Sequence, residues 1–223
     1  RGIMLKSHIN LYRMGFYFIT DSLLTKKGVE EDVKDALQAG VKIIQYREKN
    51  KNARKMLEEV LRIKHLCKGK AVFLINDRVD IALAADVDGV HLGQEDLPCP
   101  VARMLLGEQK IIGITVHNTE EAIKAEKQGA DYIGASPIFE TQTKKDAGRQ
   151  AGLQLIKDVR AKVRIPIVAI GGINLENIVS VMEAGAHTAC AISAVISEEK
   201  TQEECRKFVE IIDKFTKNFD RQP

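Results

Sequence analysis

Eight short apolar runs, each followed by a longer amphipathic stretch, limit what this chain can fold into. They are "FYFIT" (16–20), "VKIIQY" (41–46), "AVFLIN" (71–76), "DGVHL" (88–92), "IIGITV" (111–116), "DYIGAS" (131–136), "PIVAIGG" (166–172) and "HTACAIS" (187–193). The runs are rich in β-branched residues and mostly do not alternate with polar ones, the pattern of strands buried on both faces.

The intervening stretches read as helices. Within 51–68, Met56, Val60, Ile63 and Cys67 recur at helical spacing, and Leu57 and Leu61 widen the stripe. Asn118, followed by Glu121, resembles a capping box. Asn174 reads as the N-cap of "LENIVSVMEA". "LQAGVKII", "EKQGADYI" and "MEAGAHTA" form a weak repeat in which a helix ends, turns on glycine and enters a strand. Strand and helix alternating eight times predict an α/β fold, a single-domain (β/α)8 TIM barrel over residues 1–223. Residues 1–13 would form an N-terminal extension. An open doubly wound sheet is the competing architecture.

With 34 basic and 31 acidic residues, the net charge of +3 is too balanced to argue for nucleic acid or a membrane surface. The four cysteines, Cys67, Cys99, Cys190 and Cys205, form no C-x-x-C pair or zinc-type cluster, which fits thiols in a reducing cytoplasm. No apolar run reaches the ~18 residues of a membrane span.

In a barrel, residues just after the strands gather at one mouth. Sorted by that rule, seven successive strand ends carry polar or glycine-rich chemistry. The second gives "QYREK", where alternation puts Gln45, Arg47 and Lys49 on one side. The third gives Asn76 and Asp77, and the fourth Gln94 and Asp96. The fifth gives Thr115, then His117. The sixth gives Thr141, Thr143 and Lys144, the seventh "IGGIN", and the eighth Ile192 and Ser193. A solvated strand end would explain any one of these; their shared face is harder to explain so.

Asp77 and Asp96 could be plain ion-pair partners, or could hold Mg2+, which takes one or two carboxylates and completes its shell with water and phosphate. Glu95 is the neighbouring decoy, expected to point outward. Arg47 offers a fork of donors to phosphate, and Lys49 and Lys144 act as point charges. The double glycine, together with Ser193, suits a second phosphate bound by backbone N–H groups. His91, inside an apolar strand, reads as a satisfied core or rim residue, and His117 could approach the mouth.

Taken in order, "QYREK", "NDR", "DGVHLGQED", "TQTK" and "IVAIGGI…AISA" resemble thiamine-phosphate synthase over roughly residues 16 to 215. The resemblance implies a transferase of thiamine biosynthesis. It would join 4-amino-2-methyl-5-hydroxymethylpyrimidine pyrophosphate to 4-methyl-5-(2-phosphoethyl)thiazole, or to its carboxylated tautomer, with release of pyrophosphate. By that resemblance Gln45, Tyr46, Arg47, Glu48, Lys49, Asn76, Thr115 and Lys144 would hold the pyrimidine pyrophosphate. Arg47, Lys49 and Lys144 would be catalytic, and Asp77 and Asp96 would bind Mg2+. Thr141, Gln142, Thr143, Gly172, Ile192 and Ser193 would hold the thiazole phosphate. Thr115 stands where the family usually has serine. The implied partners are small phosphorylated substrates in the cytoplasm, with homo-oligomerisation open. A thiazole tautomerase paralogue and a non-catalytic phosphate-binding barrel are the alternatives.

Overall fold

A computed structural model describes residues 10–141, 150–196 and 200–219. Eight parallel strands close a barrel in chain order. They are β1 (Tyr17–Ile19), β2 (Ile43–Tyr46), β3 (Val72–Asn76), β4 (Gly89–Leu92), β5 (Ile111–Val116), β6 (Tyr132–Ala135), β7 (Ile167–Ile170) and β8 (Thr188–Cys190). Each falls within one of the eight apolar runs. Pairing of Tyr17 with Cys190 closes the ring, so the open-sheet alternative is excluded.

The helices are α1 (Val29–Gln38), α2 (Ala53–Cys67), α3 (Val79–Ala85), α4 (Cys99–Leu106), α5 (Thr119–Lys127), α6 (Gly152–Arg160), α7 (Ile178–Glu183), α8 (Ser193–Ile196) and α9 (Thr201–Phe219). The three repeat glycines have the left-handed backbone that the repeat predicted: Gly40 at φ 93°, Gly129 at φ 87° and Gly185 at φ 106°. A side chain there would strain the turn, which is why glycine ends these helices.

Strand alternation sorts the core into two layers. Tyr17, Ile19, Ile43, Leu74, Tyr132, Val168 and Cys190 fill the barrel interior. Phe18, Ile44, Phe73 and Ile75 face outward and pack under the helices. On α2, Met56, Val60, Ile63 and Cys67 are buried as the spacing predicts, each apolar side chain of this size stabilising by about 1.5–3 kcal/mol. Leu61 is a correction: it is 48% exposed, beyond the edge of the buried stripe. Met14 and Leu11, within or beside the predicted extension, pack against the interior layer. The Tyr12 hydroxyl donates to the Arg164 carbonyl at 2.7 Å.

Two predicted caps resolve differently. Asn118 caps α5 by accepting from the Glu121 N–H at 2.8 Å, but the returning Glu121 carboxylate takes the His117 N–H at 2.8 Å. Asn174 does not cap α7 directly. Its Oδ1 accepts from Glu176 and Asn177, closing a turn ahead of a helix that starts at Ile178. All four cysteines are buried, and none is in a disulfide among the described residues. Among the described residues, no helix is long and apolar enough to cross a membrane.

Candidate active site

The expected clustering at the strand ends is present. Gln45, Arg47, Asn76, Thr115, Thr141, Gly172, Ile192 and Ser193 line one cavity. Gln142, Thr143 and Lys144 lie outside the described residues.

Within "QYREK", alternation divides the side chains. Gln45 is 1% exposed and lines the cavity. Arg47 reaches across to the segment following β1, where its Nη1 lies 2.8 Å from Asp21 Oδ2. Lys49 Nζ stands 2.5 Å from Asp77 Oδ2. Tyr46 and Glu48, expected to hold pyrophosphate, turn elsewhere, as the intervening positions of an extended chain must. The Tyr46 hydroxyl donates to Glu59 Oε2 on α2 at 2.5 Å. Glu48 accepts from the Asn50 N–H at 2.7 Å and faces Lys51 at 3.3 Å. Both are committed to the wall between β2 and α2.

Asp77 follows β3 with φ 61°. This left-handed conformation is uncommon outside glycine, although Asp and Asn tolerate it best. Its N–H bonds the His91 carbonyl at 2.9 Å, and α3 begins two residues later. Asp96 accepts from the Gly93 N–H at 2.6 Å and is in side-chain contact with Asp77. Burial, then the neighbouring Asp77 carboxyl, raises the Asp96 pKa above the usual carboxylate value; the Gly93 N–H and Lys49 oppose the rise. Two carboxyl groups pressed together, with one ammonium beside them, favour a divalent cation in the oxygen-rich chemistry of Mg2+. Among the described residues, no group of three or more His, Cys, Asp or Glu side chains is arranged to hold a metal. Such a cation would therefore need water and substrate oxygens to complete its shell. Glu95 is exposed, as expected of the decoy.

Across the cavity, Gly171 and Gly172 have φ 103° and 63°. Their lack of a side chain has a packing reason beside any binding one. A Cβ on Gly172 would meet the Glu140 carbonyl oxygen at 2.4 Å, and one on Gly171 would meet Pro137 Cβ at 2.8 Å. The double glycine lets the β6 loop close over β7 and keeps the backbone bare at the cavity wall. Ser193 opens α8 beside it.

His117 is turned toward α5, with Nδ1 2.9 Å from Glu121 Oε2. Sequence reasoning missed three participants. Asp21 orients Arg47, while Tyr17 and Tyr132 meet in the barrel interior behind Gln45 and His91, their hydroxyls 2.7 Å apart. Asp21 could have been found by applying the strand-end rule to the first strand, where "FYFITD" ends in an acid. The tyrosines gave no signal, because an aromatic residue inside a buried strand reads as core.

Comparison with known proteins gives the family. The family model described as thiamine monophosphate synthase matches residues 16–195. The thiamine-phosphate synthase of Methanosarcina mazei is 52% identical over 212 residues, covering 93% of this chain and 88% of that protein. The Methanosarcina barkeri protein of the same name is 50% identical, covering 95% and 96%. A solved thiamine phosphate pyrophosphorylase from Pyrococcus furiosus superposes with a TM-score of 0.86 at 40% identity, covering 92% of this chain and 99% of that one. On its barrel, its strand-end residues and these matches, the chain belongs to the thiamine monophosphate synthase family.

Proposed function

We propose that this chain is a thiamine-phosphate synthase. It joins the pyrimidine pyrophosphate to the thiazole phosphate and releases pyrophosphate. The observation that carries the reading is one cavity with two anion-suited walls. Arg47 and Asn76, with Lys49, Asp77 and Asp96 next along the same strand ends, make the first. Thr141, Gly172, Ile192 and Ser193 make the second. Two phosphorylated substrates meeting between them have their reacting ends close together.

The reaction asks little of a general base. The bond between the pyrimidine methylene carbon and the pyrophosphate oxygen breaks, and its electron pair leaves with the pyrophosphate. Arg47, Lys49 and Lys144 stabilise the charge that grows there. Mg2+ held by Asp77 and Asp96 would add positive charge to the same leaving group. The electron-rich aminopyrimidine supports the cationic carbon, and the thiazole nitrogen donates its lone pair to form the new bond. Asp21 keeps the Arg47 guanidinium turned toward the cavity. Gln45 and Thr115 hold the pyrimidine. The threonine methyl leaves the hydroxyl in place, so the hydrogen bond of the commoner serine is retained.

A pyrophosphate-release assay tests this directly. Release should require both substrates and a divalent cation. Release with the pyrimidine pyrophosphate alone at the same rate, or none under any condition, would contradict it.

A further inference from the structure

Five buried side chains form a continuous chain whose two ends, Gln45 and Thr115, line the cavity. Gln45 Nε2 donates to the Tyr17 hydroxyl at 2.7 Å. The Tyr17 and Tyr132 hydroxyls are 2.7 Å apart, and Tyr132 Oη lies 2.8 Å from His91 Nδ1. His91 Nε2 is then 2.9 Å from Thr115 Oγ1. Exposure runs from 0% at Tyr17 and Tyr132 to 6% at Thr115. The strands leave room for this chain. A Cβ on Gly113 would sit 2.0 Å from Tyr132 Cζ, and one on Gly134 would sit 3.0 Å from His91 Cε1. Neither glycine has positive φ, so space, not turn geometry, explains them.

The chain has a direction. A hydroxyl carries one proton, and a neutral imidazole carries one on one of its two nitrogens. With Gln45 donating to Tyr17, Tyr17 gives its proton to Tyr132, and Tyr132 gives its own to His91 Nδ1. His91 then holds its proton on Nε2 and donates to Thr115. The Thr115 proton is left to point away from the chain, and the Gln45 amide oxygen is left to accept. Burial pushes both tyrosines well above the usual phenol range, so they remain neutral links. No link can reverse alone, because two protons or two lone pairs would then face each other. Gln45 and Thr115 both line the cavity, so its two ends are coupled.

We propose that this relay gives the cavity a set hydrogen-bonding polarity, an acceptor at Gln45 and a donor at Thr115. That polarity selects a heterocycle bearing an amino group and an unprotonated ring nitrogen over its lactam counterpart. Tyr17, Tyr132 and His91 are positioning residues for that selection. The proposal rests on the cavity being the pyrimidine site. A ring tethered by its pyrophosphate cannot turn over, so exchanging amine for carbonyl inverts both demands at once.

The test compares calorimetric binding of the 4-amino pyrimidine pyrophosphate and its 4-oxo counterpart to the full chain. The amino form should bind about tenfold more tightly or better, the equivalent of one mismatched hydrogen bond. Tyr132→Phe cuts the relay and lets each end adjust alone, so the preference should fall to within about threefold. An undiminished preference in that variant, or none in the unaltered chain, overturns the proposal. Nitrogen-15 NMR of the unaltered chain supplies a reading that needs no variant. With the amino ligand bound, His91 should be protonated on Nε2 and bare on Nδ1; the opposite tautomer or an imidazolium overturns it. Failure of the synthase reading looks different: selective binding would persist without any thiamine phosphate.

Discussion

Arg47 Nη1 lies 2.8 Å from Asp21 Oδ2, and this pair ties the end of β2 to the segment following β1. Arg47 and Asp21 side chains are only 18% and 7% exposed, so the contact is sheltered from solvent screening. Because a guanidinium has five donors, one arm on Asp21 still leaves others for phosphate. Arg47→Ala should lower kcat/KM by about 10²–10³-fold, the scale of removing one transition-state charge contact. Asp21→Asn should cost about tenfold, and the double variant should cost less than the product of the two. Strictly multiplicative effects in steady-state kinetics would separate the residues.

Asp77→Asn should fold, because asparagine accepts the φ of 61° that this position requires. It should raise the Mg2+ concentration needed for half-maximal turnover by about tenfold or more, since one of the two carboxylates proposed to hold the metal is gone. Magnesium titration of turnover, beside a melting curve, checks both parts. An unchanged magnesium requirement would remove Asp77 from the metal-binding role.

Gly172→Ala combines a positive φ of 63° with a Cβ 2.4 Å from the Glu140 carbonyl. Denaturant unfolding should show a loss of about 1–3 kcal/mol. The surviving folded enzyme should show a raised KM for the thiazole phosphate. Stability equal to the parent would mean that the β6 loop moves aside at no cost.

His187 supplies a pH dependence away from the chemistry. Its Nδ1 accepts from the Ile167 N–H at 3.0 Å, and burial, followed by the charge of Arg160, lowers its pKa to about 4. The unfolded chain would take up that proton near pH 6.5. Between roughly pH 6.5 and 4 the unfolded state therefore binds more protons, and stability falls as the pH drops. Unfolding measured across this window should show a smaller acid slope in His187→Gln than in the parent. Equal slopes would assign the acid sensitivity to other groups.

Much of the barrel was legible because its signals are local. Apolar runs and C-terminal glycines belong to single strands and turns, and each survived folding unchanged. Arg47, Asn76 and Thr115 were legible for the same reason: a strand end needs only its own sequence to be placed at the mouth. The Tyr46 and Glu48 side chains turn from the cavity because strand alternation divides a motif that reads as a block. The Tyr17–Tyr132–His91 links were not legible, since they join residues from β1, β6 and β4 whose meeting depends on ring closure. Leu61 shows the remaining weakness, that helical periodicity finds a stripe but not its edge.

The most direct measurement is the mass of the product when both substrates are mixed with the enzyme, with and without Mg2+. Thiamine phosphate should accumulate with the metal present, stop on chelation and return when Mg2+ is restored. Undiminished synthesis in chelator, or no synthesis by well-folded enzyme supplied with both substrates and Mg2+, would contradict a metal-assisted anion grip facing a second phosphate wall.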